Sequence, residues 1–224
     1  MKDYNKTKRL LNYCHKTQKC DIGITVLQET HLTEDEAKKI QYMWKGNYIM
    51  SPAEESARGT IMLYAPWHFE KIIHTEGESN GRMTWLIGEA RERVHMFIGI
   101  YAPNTKQDEF FKIVTQKAEK LANKQVTEIT MCGDFNIELI NNPERRATQN
   151  EKKAMKTIRK FMKGHDIKIA SNTKEHTWST KSKKSTLDYI ITSILLLWEA
   201  STKWGVDKLD HALVTATATT NSNH

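Results

Sequence analysis

The sequence has few of the residues that build disulfide frameworks, rigid linkers or membrane spans. Of its 224 residues, three are cysteine and four are proline. Cys14, Cys20 and Cys132 are an odd set without metal-binding spacing, so we expect reduced thiols in an intracellular protein. The longest apolar run, at 190–198, is far too short to cross a bilayer. These absences argue against a secreted disulfide scaffold and against a helical membrane protein.

The N-terminal stretch MKDYNKTKRL also lacks the apolar core that a signal peptide needs. Internal repeats and long Gly/Ser/Pro linkers are absent from the sequence as well. A chain of this length fits one large α/β domain with a substantial core. We therefore expect a single domain over residues 1–218, followed by a frayed tail at 219–224.

Positive charge is in excess, with 34 Lys and Arg against 27 Asp and Glu, a net charge of +7 and a pI near 9.2. Such a balance is compatible with a polyanion partner such as nucleic acid, although many basic domains bind none. The charge balance alone therefore leaves the partner open.

Apolar periodicity predicts a mixture of strands and helices. Strand patterns occur at 21–28, 59–65, 69–74, 82–89, 93–101, 126–133, 167–170, 186–191, 196–203 and 211–217. Helical patterns occur near the N-terminus around Leu10, from Thr33 to about Trp44, at 110–121 and at 155–162, with Gly164 placed to cap the last helix. Many strands with a few helices predict two packed, mostly antiparallel sheets flanked by helices.

Four acidic residues lie at the margins of the predicted strands. Glu29 and Asp134 follow strand patterns, while Asp188 and Asp210 precede them. In an antiparallel or mixed sheet, the end of one strand lies beside the start of its neighbour, so all four could gather on one rim. A single aspartate at a strand end is more often a turn or cap residue, and the spacing alone does not bring the four together.

Carboxylates that converge in a basic protein need a positive charge among them. Mg²⁺ fits this place, because it prefers oxygen ligands and commonly serves phosphate chemistry. His211 adds a group that titrates near neutral pH, and Asp188 could orient its imidazole. Strand alternation would also place Asp134 and Asn136 on one face.

Five short motifs carry a resemblance to a known family. LQETHL (27–32), IYAPN (100–104), GDFN (133–136), STLDYI (185–190) and DHALV (210–214) occur in the order found in the endonuclease/exonuclease/phosphatase superfamily. The chain resembles most closely the apurinic-like endonuclease domain of LINE-type non-LTR retrotransposons. This resemblance implies a DNase I-like, four-layer fold, a two-sheet β-sandwich flanked by helices, here lacking the family's first strand.

The resemblance also implies a Mg²⁺-dependent endonuclease, with Mn²⁺ able to replace Mg²⁺, that nicks one strand of DNA in retrotransposition. By the same resemblance, we expect DNA as the partner, a monomeric state, no membrane association and a nuclear location. A reverse transcriptase domain in a longer parent protein is compatible with this resemblance. Glu29 would hold the metal ion, with Asp210 assisting. Five residues would be catalytic: Tyr101 and Asn136 at the phosphate, Asp134 on the attacking water, and Asp188 with His211 as a dyad.

A polar hairpin at 172–189 would reach toward DNA through Thr177, Lys181, Lys183, Lys184 and Ser185. A solvated polar turn is the competing interpretation of this lysine cluster. Three other functions stay open at this point. They are a catalytically impaired DNA-binding remnant of the fold, an abasic-site repair endonuclease, and a phosphatase of the superfamily acting on a small or lipid phosphate.

Overall fold

The structure, a computed structural model, describes residues 7–9, 23–53, 57–123, 125–140, 146–171, 173–194, 197–206 and 209–219. The chain divides into two units, Met1–Tyr101 and Ala102–His224. The single domain expected over 1–218 therefore stays a prediction. Most of the basic N-terminal segment, the position of the family's first strand and most of the expected frayed tail lie outside the described residues.

The first unit begins with a three-stranded antiparallel sheet in the order β1-β3-β2. The strands are β1 (Ile24–Leu27), β2 (Asn47–Ser51) and β3 (Thr60–Tyr64). Between β1 and β2 lies the short helix α1 (Glu34–Ala37), which continues as a 3-10 helix over Lys38–Tyr42.

The sequence pattern Thr33-x-x-Glu36 predicts a capping box at the start of α1, and the structure confirms it. The Thr33 hydroxyl accepts the Glu36 backbone N–H, and the Glu36 carboxylate accepts the Thr33 N–H at 3.1 Å. Such reciprocal bonds satisfy donors that an uncapped helix start would leave open.

Three further strands of the first unit form an antiparallel meander. They are β4 (Lys71–Gly77), β5 (Met83–Ala90) and β6 (Arg93–Tyr101). The β5 residues 83–88 are all buried, whereas β4 alternates between exposed and half-buried positions. Tyr64 and Leu86 belong to a buried apolar cluster against which Phe97 packs.

The second unit carries two long helices, α2 (Gln107–Ala122) and α3 (Gln149–Gly164). Its strands are β7 (Glu128–Asp134), β8 (Lys168–Ile169), β9 (Trp178–Ser179), β10 (Lys184–Ser185), β11 (Asp188–Thr192), β12 (Leu197–Lys203) and β13 (Leu213–Thr219). Strand β11 pairs antiparallel with β7 on one side and with β8 on the other. The pairs β9–β10 and β12–β13 are antiparallel as well.

Aromatic packing anchors the end of β7 in the second unit. Phe135 is fully buried, stacks on Phe111 with ring centroids 5.8 Å apart, and meets Tyr189 edge to face at 5.4 Å. Offset and edge-to-face pairs of this kind are favourable beyond the area they bury. The residue after Asp134 is therefore fixed in the core, which holds the strand end in place.

The predicted mixed α/β class with several sheets and few helices is confirmed. Strand β2 was missed, and α3 begins at Gln149, earlier than the predicted helical pattern. Gly164 is the last helical residue and His165 is the C-cap, so the cap assigned to Gly164 was wrong by one position. Among the described residues, no helix is long and apolar enough to cross a bilayer.

Candidate active site

The pairing of β7 with β11 brings two of the predicted carboxylates together. Asp134, the last residue of β7, is the register partner of Asp188, the first residue of β11. Directly opposite residues on antiparallel strands have Cβ atoms about 5 Å apart. Both side chains are largely buried, with 5% of Asp134 and 9% of Asp188 exposed. Two carboxylates this close repel each other unless a positive charge lies beside them.

His211 supplies a positive charge at this place. Its Nδ1 lies 2.9 Å from Asp188 Oδ2. Burial alone would lower the pKa of His211, but the hydrogen bond to Asp188 and the charges of Asp188, Asp134 and Asp210 raise the pKa to about 9. The imidazole is therefore charged at neutral pH, with Nδ1–H donating to Asp188.

The backbone around His211 is held by the β9 strand. Residue 211 forms an isolated antiparallel bridge with Trp178. The Ala212 N–H donates to the Thr177 carbonyl at 2.7 Å, and the Ser179 N–H donates to the Asp210 carbonyl at 3.0 Å. These bonds fix the backbone on both sides of the histidine.

Thr177 joins this backbone segment to the start of β11. Its side chain is fully buried, and its hydroxyl accepts the backbone N–H groups of Leu187 and Asp188, each at 2.9 Å. Ser185 is 7% exposed, and its carbonyl accepts the Thr177 N–H. Buried side chains cannot reach a phosphate from these positions, so Thr177 and Ser185 leave the expected DNA-contacting set. The sequence pattern had given Thr177 no positioning role.

Asn136 contacts Asp134, but not through strand alternation. Strand β7 ends at Asp134, and Asn136 adopts a left-handed conformation with φ of 48°. Its backbone N–H donates to Asp134 Oδ1 at 2.8 Å, and its Nδ2 donates to the Ala102 carbonyl at 2.7 Å and to Asp134 Oδ2 at 3.3 Å. The local turn thus orients both oxygens of the Asp134 carboxylate.

Two predicted site residues lie in the first unit and contact each other. The Tyr101 hydroxyl donates to Glu29 Oε1 at 2.5 Å. Glu29 is exposed and has a φ of 50°, which is uncommon outside glycine. The expectation that Glu29 gathers with the other three acidic residues on one rim stays a prediction.

Arg82 is a neighbour of Tyr101 that sequence reasoning missed. Its guanidinium lies 5.1 Å from the centroid of the Tyr101 ring, and its Nη1 donates to the Tyr101 carbonyl at 3.1 Å. A single arginine after a turn glycine gives no pattern from which this contact could be inferred.

The remaining predicted residues are exposed at the surface of the second unit. Asp210 is exposed, and so are the three lysines of the β9–β10 hairpin, namely Lys181, Lys183 and Lys184. Exposed ammonium groups are able to meet phosphates, so DNA contact by the three lysines stays a prediction.

The donor set of the second unit fits a hard divalent cation. One ligand atom from each of Asp134, Asp188 and His211 lies within 4.8 Å of the others. A protonated imidazole has no lone pair to offer, so within this trio only the two carboxylates could hold a cation. Glu29 and Asp210, the ligands that the resemblance implies, are not members of the trio. Oxygen ligands are those that Mg²⁺ prefers, whereas Zn²⁺ sites usually rely on neutral histidine or thiolate.

Solved structures with the same fold cover nearly the whole chain. A 3′ phosphatase, NExo, from Neisseria bound to a product DNA hairpin aligns with a TM-score of 0.73 at 15% identity, covering 96% of this chain and 95% of that one. The AP endonuclease LMAP from Leishmania major aligns with a TM-score of 0.68 at 14% identity, covering 93% and 80%.

The endonuclease domain of TRAS1, a telomere-specific non-LTR retrotransposon, aligns with a TM-score of 0.65 at 11% identity, covering 96% of this chain and 93% of that one. No protein-family model matches the chain, and no curated protein is found as a relative. The chain therefore shares the fold of these solved structures, the DNase I-like fold that the resemblance in the sequence implied.

Proposed function

We propose that the chain is a metal-dependent phosphodiesterase that hydrolyses DNA, nicking one strand as in retrotransposition. The observation that carries this proposal is the trio of Asp134, Asp188 and His211, in which a charged imidazole is hydrogen-bonded to Asp188 and lies close to Asp134. Phosphodiester hydrolysis needs a base for water and a positive group for the developing negative charge. The trio supplies both.

Each residue of the trio has a distinct task in this reaction. Asp134, oriented by the two Asn136 hydrogen bonds, accepts the proton of the attacking water. Asp188 holds the imidazolium through Nδ1, which leaves the Nε2–H of His211 to stabilise the charged phosphate. Asn136 orients Asp134 and, by resemblance, also contacts the phosphate or the water.

The resemblance assigns Glu29 and Asp210 to a bound Mg²⁺ and Tyr101 to the scissile phosphate. Mg²⁺, which Mn²⁺ is able to replace, would supply Lewis-acid stabilisation of charge on the phosphate oxygens. The contact between Tyr101 and Glu29 supports their assignment to a common task.

DNA is the substrate class that the comparisons favour. The Neisseria phosphatase was solved with product DNA, and the names of the two other aligned proteins state endonuclease activity. The exposed lysines Lys181, Lys183 and Lys184 add positive charge on the β9–β10 hairpin, whose strand β9 pairs with the backbone at His211. A nuclear, monomeric enzyme that belongs to a longer protein with a reverse transcriptase is part of the same proposal.

Nicking of supercoiled plasmid, with Mg²⁺ or with a chelator, tests the proposal. We expect metal-dependent nicking, and we expect Asp134→Asn and His211→Ala to lower its rate by about 10²–10⁴-fold. Glu29→Gln should raise the Mg²⁺ concentration required for half-maximal rate. Asp166→Asn removes an exposed carboxylate paired with Lys168 and is the control, with unchanged rate.

A second candidate function, abasic-site repair, is favoured by the alignment with the Leishmania AP endonuclease. An oligonucleotide carrying one abasic site distinguishes this function from nicking of undamaged DNA. Cleavage at the abasic site only, while the supercoiled plasmid stays uncut, supports repair. DNA retention without cleavage of either substrate supports the impaired DNA-binding remnant. Hydrolysis of only small or lipid phosphates supports the phosphatase.

A further inference from the structure

One face of helix α3 carries cations that the proposed reaction does not use. The helix buries Ala154, Ile158 and Phe161 on its inner side. Four exposed lysines form a row on the opposite side, called here the lysine row: Lys152, Lys156, Lys160 and Lys163. Steps of four, four and three residues keep the row on one face, over about 16 Å of helix.

An open groove of about 920 Å³ lies beside the lysine row and is lined by all four of its members together with Arg146 and Arg159. Its two acidic residues are turned inward. Glu138 is 9% and Glu151 is 5% exposed, and the Glu151 carboxylate accepts the Thr148 N–H in the capping box of α3. Among the described residues that line the groove, the charges that face solvent are therefore positive.

This concentration of like charge is not neutralised within the described part of the chain. There the four lysines of the row form no ion pair with a carboxylate. Like charges one turn apart destabilise a helix by a few tenths of a kcal/mol per pair, about 0.2–0.5. A one-sign row along a groove attracts a polyanion and raises its local concentration.

We infer that the lysine row and its groove bind the phosphate backbone of duplex DNA. Lysine contacts to phosphate are independent of base sequence, and a straight row of them suits a regular backbone. Proteins that bind single strands stack bases on aromatic rings, and the described residues lining the groove include no aromatic side chain. The inference rests on the proposed function in taking DNA as the ligand.

The groove is connected to the trio through one chain segment. Glu138 and Ile140, two of its lining residues, follow closely after Asn136. Arg159 of α3 donates to the Leu139 carbonyl at 2.8 Å and so fixes this segment against the helix. Duplex DNA on the lysine row is thus held by the same unit that carries Asp134.

The salt dependence of DNA binding tests this surface without catalysis. Binding of a labelled 25-base-pair duplex is measured in chelator between about 50 and 200 mM salt, the range over which phosphate contacts change affinity strongly. In the full chain, the variant Lys152→Gln/Lys156→Gln/Lys160→Gln/Lys163→Gln should flatten the slope of log K against log[salt] by about 0.9 per lost contact.

The control variant removes four exposed lysines elsewhere: Lys45→Gln, Lys71→Gln, Lys120→Gln and Lys168→Gln. It loses the same net charge, so we expect its slope to stay near that of the original chain. Circular dichroism checks that both variants fold. If the quadruple row variant does not fold, the pairs Lys152→Gln/Lys156→Gln and Lys160→Gln/Lys163→Gln should each give about half of the flattening.

Equal slopes for the row and control variants would overturn the inference. Preferred binding of single-stranded RNA or DNA of the same length would overturn duplex DNA as the occupant. The proposed function fails separately. If the original chain never nicks DNA but the salt slope flattens only in the row variant, the proposed enzyme is wrong and the DNA-binding surface stands. If the row variant binds and nicks DNA like the original chain, the surface is wrong and the proposed enzyme stands.

Discussion

The charge state of His211 depends on the carboxylates around it. Burial opposes the charge, while the hydrogen bond to Asp188 and the nearby charges of Asp188, Asp134 and Asp210 raise the pKa from 6.5 to about 9. Because the pKa of His211 is higher in the folded protein than in the unfolded chain, protonation of His211 stabilises the fold. This contribution is complete below pH 6.5 and is lost as the pH rises through about 9. The imidazolium is therefore available for catalysis throughout the physiological range.

Asp188→Asn should lower the pKa of His211, because the neutral amide removes both the hydrogen bond to a carboxylate and the nearest negative charge. NMR titration of the His211 ring measures the change, and the alkaline limb of the nicking rate should move to lower pH by the same amount. The charge of Asp210 contributes least to the raised pKa, so Asp210→Asn should lower the pKa of His211 by a smaller amount. An unchanged pKa in Asp188→Asn would contradict the dyad.

Asn136 combines a backbone requirement with a side-chain function, and two substitutions separate them. Its φ of 48° costs most residues about 1–2 kcal/mol, and glycine pays no such cost. Asn136→Ala should lower both the free energy of unfolding and the nicking rate. Asn136→Gly should retain more stability than Asn136→Ala. Because neither variant has the side-chain amide, both should nick DNA at the same lowered rate. Urea unfolding and plasmid nicking provide the two measurements. Full activity in Asn136→Gly would limit the residue to a turn role.

At the scale of elements, Thr177 fastens the start of β11 to the β9 segment. Thr177→Val keeps the shape but leaves the buried N–H groups of Leu187 and Asp188 without their acceptor, at a cost of about 1–3 kcal/mol each. Asp188 should then lose its fixed position, so kcat should fall while DNA affinity changes little. Thr177→Ser retains the hydroxyl and should restore the rate. If both variants nick equally fast, Thr177 does not position Asp188.

The sequence predicts the strands whose patterns are strong and misses those whose patterns are mixed. Strand β6 (Arg93–Tyr101) was predicted with its observed bounds because its apolar run is long. Strand β2 (Asn47–Ser51) was missed, because it is short and begins with a polar residue. The predicted helix from Thr33 shortens to one α-helical turn and a 3-10 segment, a tightening that apolar spacing does not reveal.

The candidate site was predictable in its members rather than in its contacts. Placing Asp134 at the end of one strand pattern and Asp188 at the start of another allowed the two to lie close together, and the register of β7 and β11 makes them partners. The left-handed turn at Asn136 and the buried hydroxyl of Thr177 were not predictable. Both depend on where a strand stops, which is the least certain property of a sequence pattern.

At the scale of the whole molecule, the chain passes from the first unit to the second between two described residues, Tyr101 and Ala102. The first ends at Tyr101, the last residue of β6, and the second begins at Ala102, whose N–H donates to the Asp134 carbonyl at 2.8 Å. Flexible linkers are the usual place at which domains of one chain become independent. The single domain expected from the sequence stays a prediction, and cooperative unfolding tests it against two domains that unfold separately.

We predict one cooperative urea transition, reported equally by tryptophan fluorescence and by far-UV circular dichroism. Leu86→Ala in the first unit and Phe135→Ala in the second each remove a fully buried side chain and should each cost about 2–5 kcal/mol. In a single domain, both variants lower the midpoint of the same transition. Two transitions, each moved by one variant alone, would mean that the units fold independently. In that case Glu29 and Asp134 would belong to separate domains of the chain.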